Sequence, residues 1–137
     1  MATLELEVVT PERRVLLETV DEVILPGEEG YLGVLPGHAP LLTSLETGIV
    51  AYKQGGQFHY LAASGGFVEI AKNRVNILAE TSERAEEIDS DRAQRSKDHA
   101  EKAMDSATGD ELEELRIRLI RAVARLDVKS KIGKSPF

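Results

Sequence analysis

The sequence predicts an all-β N-terminal domain, an antiparallel sandwich or flattened barrel, followed by a C-terminal α-helical hairpin. Three observations point there. Nine of the eleven glycines lie at or before Gly66, and five of the six aromatic residues lie at or before Phe67. No glycine or proline stands between Phe67 and Gly109. Short apolar runs bounded by turn residues fill the first half, whereas apolar residues recur at helical spacing in the second. The change of grammar divides the chain into units 1–84 and 88–137.

The first strand follows from Leu4, Leu6 and Val8 alternating with Glu5 and Glu7, which leaves one face wet. Thr10-Pro11-Glu12 ends it. Residues 14–19 and 20–25 read as the next two strands. Further strands are expected at 31–34, 48–53, 57–62, 66–70 and 75–78. Gly55-Gly56 is a hairpin signal, and Lys72-Asn73-Arg74 a polar turn. Gly65-Gly66 marks a bulge or a close backbone approach. The run 25–50 holds two Pro-Gly turns, Pro26-Gly27 and Pro36-Gly37, around Tyr31-Leu32-Gly33-Val34-Leu35. It contains no thiol and no nucleophile beside a base, so it specifies backbone shape, which serves packing or docking.

A charged connector, 83–87, opens the second half. A helix is expected over 90–107 with Ala93, Ala100, Ala103, Met104 and Ala107 as its apolar positions. Thr108-Gly109-Asp110 breaks it, and Asp110 with Glu113 fits a capping box for the next helix. That helix carries Leu112, Leu115, Leu119, Val123 and Leu126 on one stripe, widened by Ile117, Ile120, Ala124 and Val128. A buried leucine contributes about 1.5–3 kcal/mol, whereas an alanine methyl offers about 0.8. An alanine-lined helix against a leucine-lined one is therefore weakly held, and two short helices are marginal alone in water. The hairpin needs another surface, either its own β domain or a partner, and two comparable surfaces make a switch.

Charge narrows the partners. The chain of 137 residues has a formal net charge of −7, which argues against nucleic acid as the main partner. Cysteine is absent, and His38, His59 and His99 have no metal-ligand spacing. The N-terminus lacks the apolar core of a signal peptide, and no stretch approaches the roughly 18 apolar residues of a membrane span. Twelve acids and five bases occupy 83–114, whereas seven bases and one acid occupy 116–134. Helix-dipole matching with solvated faces accounts for such segregation, and so does a basic helix that meets an acidic protein surface. An enzyme needs a convergent catalytic set. Ser64, Glu28-Glu29 and His38 are scattered, and Ser64-Gly65-Gly66 is not a nucleophile elbow.

Residues 29–41, EGYLGVLPGHAPL, resemble the signature of the epsilon subunit of F-type ATP synthases. Ser64-Gly65-Gly66-Phe67-Val68-Glu69-Ile70 is similar to that family's second recurrent segment, and Val75-Asn76-Ile77-Leu78-Ala79-Glu80 to the end of its last strand. The resemblance implies a flattened ten-stranded β-sandwich followed by an α-helical hairpin. It implies a rotor component of the central stalk, coupling proton flow to ATP synthesis and catalysing nothing itself. The β domain then binds the gamma subunit and sits on the c-subunit ring. The hairpin extends along gamma toward the alpha/beta head and restrains ATP hydrolysis. The implied location is peripheral to the inner (plasma) membrane on its cytoplasmic side, or to the plastid thylakoid on its stromal side.

The resemblance also assigns residues. The turn bearing Glu28, Glu29, Gly30 and Tyr31 matches the loop that faces the c ring. Family members often carry an acid at the position of Tyr31, and Glu28 or Glu29 supplies the charge here. His38, with Ala39 and Pro40, matches a position near gamma; without a partner, His38 reads as a turn histidine bonded to local backbone. Ile88-Asp89-Ser90-Asp91-Arg92-Ala93 resembles the motif with which some bacterial epsilon subunits bind ATP. Glu83, Arg121 and Arg125 match the rest of that site, whereas His99 stands where an ATP-binding member can carry an arginine. The implied cofactor is a regulatory ATP, none being obligatory. Asp89 reads equally well as an N-cap. Arg116, Arg118, Arg121 and Arg125 form the basis of the inhibitory helix. The alternatives are a free nucleotide-sensing module built on 88–93 and a small β-sandwich enzyme.

Overall fold

The computed structural model describes residues 2–136. Among them are eight strands: β1 (Leu4–Val9), β2 (Arg14–Val20), β3 (Glu22–Gly27), β4 (Gly30–Val34), β5 (Leu41–Ser44), β6 (Gly48–Gln54), β7 (Gln57–Ala71) and β8 (Arg74–Arg84). A 3-10 turn, Ala85–Glu87, leads to helix α1 (Ser90–Met104) and helix α2 (Gly109–Ser130). All strands belong to one sheet of order β2-β1-β8-β7-β6-β3-β4, with β5 on β7.

The two long strands turn this sheet into a sandwich. The first half of β7 pairs with β6 up to Ala63, and its second half pairs with β5 from Phe67 onward. In β8, residues 74–78 pair with β1, in parallel, and residues 81–84 pair with the first half of β7. Layer one therefore holds β2, β1, the first half of β8, the second half of β7, and β5. Layer two holds the remaining halves with β6, β3 and β4. Counted by layer, five segments on each side make the ten that the sequence implies. The crossing lies at Gly65 and Gly66, whose φ values are +67° and +122°. An added Cβ on Gly66 would overlap the Leu78 carbonyl oxygen. The register of β7 on β8 is the same on both sides of the crossing, so the double glycine serves a close approach rather than a bulge. The inward residues of β7 change there from Leu61 and Ala63 to Val68 and Ile70.

The core between the layers is aliphatic. Leu6, Val8, Val23, Leu25, Val34, Val50, Leu61, Val68, Val75 and Ile77 have no measurable exposure. The tight turns behave as their residues dictate. Gly55 and Gly56 have φ of +60° and +80°, and Lys72 and Asn73 adopt +51° and +61°, which closes two hairpins. Strand β5 is not evident from sequence pattern, because Leu41 and Leu42 are both exposed and no alternation marks it.

In the hairpin, α1 stops at Met104, three residues before the expected end. Asp89 caps it, its Oδ1 accepting from the Arg92 N–H at 3.1 Å. The capping box at Asp110 does not form. The cap of α2 is Thr108, without a side-chain bond, which moves Asp110 into the first turn. Ala93 and Ala100 of α1 are buried, as are Leu115 and Ala122 of α2, and small side chains let the two helices approach. Helix α2 has a second buried face, Ala124 and Val128, which packs on the outer face of layer two. There Val128 meets an apolar patch with Ala51, Tyr60, Ala62, Ala85 and Ile88, flanked by Ile24, Ile49 and Phe58. The additional surface that the weak helix pair requires is thus the chain's own β domain.

Candidate functional site

Helix α2 runs antiparallel to the first half of β7, and its cations meet layer two in order. Arg121 donates through Nε to the buried Ser64 Oγ at 2.8 Å, and its guanidinium pairs with Glu80 at 2.9 Å. The Thr47 hydroxyl lies 2.8 Å from the same Ser64 oxygen. Arg125 donates to Glu83 at 2.7 Å, and Lys129 Nζ to the Ala85 carbonyl at 3.3 Å. Arg121 and Arg125 are spaced four apart, so one face of α2 presents both. Val128, three residues further on, completes that face. Ser64 has hydroxyl and guanidinium partners, with neither a histidine nor a carboxylate bonded to it among the described residues.

Beside these pairs opens a cleft of about 470 Å³ between β8, α1 and α2. Its lining includes Glu83, Asp89, Arg92, Ala93, Arg118, Arg121 and Arg125. Six of the seven residues that the sequence assigns to a nucleotide site are brought together here, with Arg118 in addition. Ile88 is not among them, because its side chain is buried in the apolar patch under Val128. Arg92 and Arg118 make no ion pair among the described residues, whereas Arg121 and Arg125 do. His99 is exposed on α1 and does not line the cleft. The four arginines expected as one inhibitory face divide: Arg116 is exposed and lies 3.6 Å from Glu113, Arg118 faces the cleft, and the other two hold the β domain.

The connector that carries the hairpin is itself tied down. Glu87 accepts from Arg13 at 2.6 Å and from Arg84 at 2.5 Å. Burial pushes the Glu87 carboxyl up, but the hydrogen bonds and charges of Arg13 and Arg84 outweigh it and hold the group below the usual range. The bond to Glu87 raises the Arg84 guanidinium in turn.

The turn and loop singled out on the β domain are placed at its surface. Glu28, Glu29 and Gly30 are exposed at the tip of the β3–β4 hairpin, where Gly30 has φ of +117°. Tyr31 folds its ring over Gly48, and its hydroxyl accepts from the Ile49 N–H at 2.9 Å. A Cβ at Gly48 would collide with that hydroxyl. His38 Nδ1 lies 2.6 Å from the Ala39 carbonyl, the local backbone bond expected of a turn histidine. Gly37 N–H donates to Asn73 Oδ1 at 2.8 Å, which ties the loop to the β7–β8 turn. Ala39 and Pro40 are exposed and lead into β5.

Sequence reasoning missed what lies beside that loop. On the outer face of layer one, Leu42 of β5, Phe67 of β7 and Leu78 of β8 are 70%, 59% and 57% exposed. Phe67 pairs with Leu78 and, on its other side, with Ser44, two residues from Leu42. The three side chains form an apolar band across adjacent strands. The signal that could have found it is parity: each stands out of phase with the inward residues of its own strand. An exposed band of this kind marks a docking surface.

The architecture defines a class of protein: a β-sandwich with a helical hairpin docked on one outer face through ion pairs, and an apolar band on the other. Residues 3–85 match the family model described as the ATP synthase delta/epsilon chain β-sandwich domain, and residues 86–130 the model of its long α-helix domain. The chain is 45% identical over 125 residues to the ATP synthase epsilon chain of Desulfitobacterium hafniense, covering 91% of this chain and 95% of the relative. It is 46% identical over 129 residues to that of Nitratidesulfovibrio vulgaris, covering 93% and 96%. Among solved structures it resembles a chain of the Euglena gracilis mitochondrial ATP synthase OSCP/F1/c-ring assembly, with a TM-score of 0.80 and 25% identity over 93% of this chain and 81% of that one. The chain belongs to the ATP synthase delta/epsilon family.

Proposed function

We propose that this chain is the epsilon subunit of an F1 sector, a rotor part of the central stalk that couples proton flow to ATP synthesis. It catalyses nothing itself. The observation that carries this reading is the division of the β domain's two outer faces. One is covered by the chain's own hairpin, and the other bears the Leu42–Phe67–Leu78 band. The band, with His38, Ala39 and Pro40 at its edge, is the docking surface for gamma. The Glu28–Glu29–Gly30–Tyr31 hairpin tip meets the c ring, its two exposed carboxylates supplying the charge while Tyr31 stiffens the turn. The subunit is peripheral to the membrane through these partners. The bacterial relatives favour the cytoplasmic side of the inner membrane, and no helix among the described residues is long and apolar enough to cross it.

The hairpin is the regulatory part. It is held to layer two by polar pairs that water can replace and by one small apolar patch around Val128, so it can leave and extend along gamma toward the alpha/beta head. There Arg116, Arg118, Arg121 and Arg125 meet acidic surface and restrain hydrolysis. A regulatory ATP in the cleft favours the docked state. Arg92 and Arg118, whose charges no carboxylate neutralises among the described residues, fit a triphosphate. Ligand bound only to the docked form stabilises it by mass action.

Calorimetry on the isolated chain tests the nucleotide site. Heat of ATP binding that disappears in Arg92→Ala and Arg118→Ala is expected. No heat at millimolar ATP refutes the site. In the assembled ATPase, reversing Arg116 and Arg118 to glutamate raises hydrolysis if the helix acts through charge; unchanged hydrolysis counts against that contact.

A further inference from the structure

Residues 131–136 do not look like structure in sequence. Lys131-Ile132-Gly133-Lys134-Ser135-Pro136 has no apolar period and contains both a glycine and a proline, and such termini fray unless something holds them. Here they are held. Lys131 caps α2, and Lys134 N–H donates back to the Lys131 carbonyl at 2.8 Å. Gly133, with φ of +78°, reverses the chain. Lys131 Nζ donates to the Pro136 carbonyl at 2.9 Å, and Pro136 is buried.

The tail is fastened to the β domain by a phenol. Tyr60 is 3% exposed, and its ring belongs to the apolar patch that receives Val128. Its hydroxyl donates to the Lys134 carbonyl, 74 residues away in sequence. Burial pushes the Tyr60 hydroxyl up, so it remains protonated and a donor throughout the physiological range. Packing around this bond is open: a cleft of about 670 Å³ lies between the tail and the β6–β7 hairpin, lined by Phe58, His59 and Ile132. The tail thus meets layer two beside an open cleft, with the Tyr60 hydroxyl tying it down there, and a hydrogen bond at such an edge can be released.

We propose that residues 131–136 are a releasable strap, fastened to the β domain by the Tyr60 hydroxyl, that sets how readily the helical hairpin leaves layer two. The strap pulls on the C-terminal end of α2, next to Val128. Arg121 and Arg125 hold the helix further along. Lifting α2 from layer two also separates the tail from Tyr60, because the tail continues α2 directly beyond Val128 and its Lys134 carbonyl is held by the Tyr60 hydroxyl. The strap stands on this geometry. Its effect on catalysis rests on the reading of the hairpin as a mobile restraint.

The test is amide hydrogen exchange in the full-length chain, with the amides of layer one as internal reference. Tyr60→Phe keeps the ring in the patch and removes only the hydroxyl. Amides in the second half of α2 are expected to exchange roughly three- to tenfold faster, the equivalent of one lost hydrogen bond. A chain ending at Ser130 shows a larger change in the same direction. Layer one is unchanged in both. Unaltered α2 exchange in Tyr60→Phe overturns the strap, whatever the truncation does. Hydrolysis by the assembled ATPase is the separate arm. If Tyr60→Phe speeds α2 exchange but leaves hydrolysis unchanged, the strap stands and the regulatory reading of the hairpin fails.

Discussion

Gly66 shows how much a single position decides. Its φ is +122°, and a methyl group there would run into the Leu78 carbonyl oxygen of the neighbouring strand. Gly66→Ala therefore combines backbone strain with a clash against main chain that cannot step aside. It is expected to destabilise the β domain by about 3 kcal/mol, read by urea unfolding. Single residues of this kind were legible in the sequence. The double glycine offered a bulge or a close approach, and the second holds; Asp89 offered a nucleotide contact or an N-cap, and it caps; His38 offered a position near gamma or a turn histidine, and its ring bonds its own backbone. What sequence did not separate were the four arginines of α2. They share one chemistry, and whether each faces an acid, a cleft or solvent is decided by the rotation of α2 against a β domain far away in the chain.

Among the elements, the connector and α2 hold the hairpin's position. Glu87 binds Arg13 of the β1–β2 turn and Arg84 at the end of β8, and these partners hold its carboxyl below the usual range. A carboxyl lowered in the folded state contributes stability above its ordinary value of about 4.3 and loses it as pH falls through the folded value. The connector should therefore loosen only as pH falls below the ordinary carboxylate range, and earlier than layer one. Carboxyl NMR titration checks it: Glu87 is expected to titrate below the usual carboxylate range, and in Glu87→Gln the acid loosening disappears. The helices were legible as an amphipathic pair, but α2 was read with one stripe where it has two. Leu115 and Ala122 face α1, whereas Ala124 and Val128 face layer two. Val123, expected on the stripe, is 37% exposed. A widened apolar surface on one helix looks the same in sequence whether it serves one neighbour or two.

At the scale of the molecule, the two outer faces have different jobs. Layer two binds the hairpin through charge pairs and one apolar patch, and layer one leaves Leu42, Phe67 and Leu78 exposed, the proposed docking surface. Replacing Phe67 and Leu78 with serine should leave thermal unfolding nearly unchanged, because both side chains already sit in water. The same double substitution should weaken capture of the chain by gamma at least tenfold, since each lost apolar contact is worth about 1.5–3 kcal/mol when fully buried. Undiminished capture would move the docking surface elsewhere. The fold class was legible from glycine distribution and periodicity. The apolar band was not, because exposed apolar residues on short strands read as core until the parity of each strand is known.

Strands β7 and β8 pass from one layer into the other without a break in their pairing register. A sandwich made of two separate sheets can shear, one sheet gliding over the apolar seam between them. Here the same two backbones run through both sheets, so any glide would have to stretch covalent chain at Gly65 and Gly66. A torque applied to the outer face of layer one is therefore carried through covalent backbone to the face beneath α2. In the proposed rotor the sandwich is then the stiff coupling, and the helical arm is the part left to move.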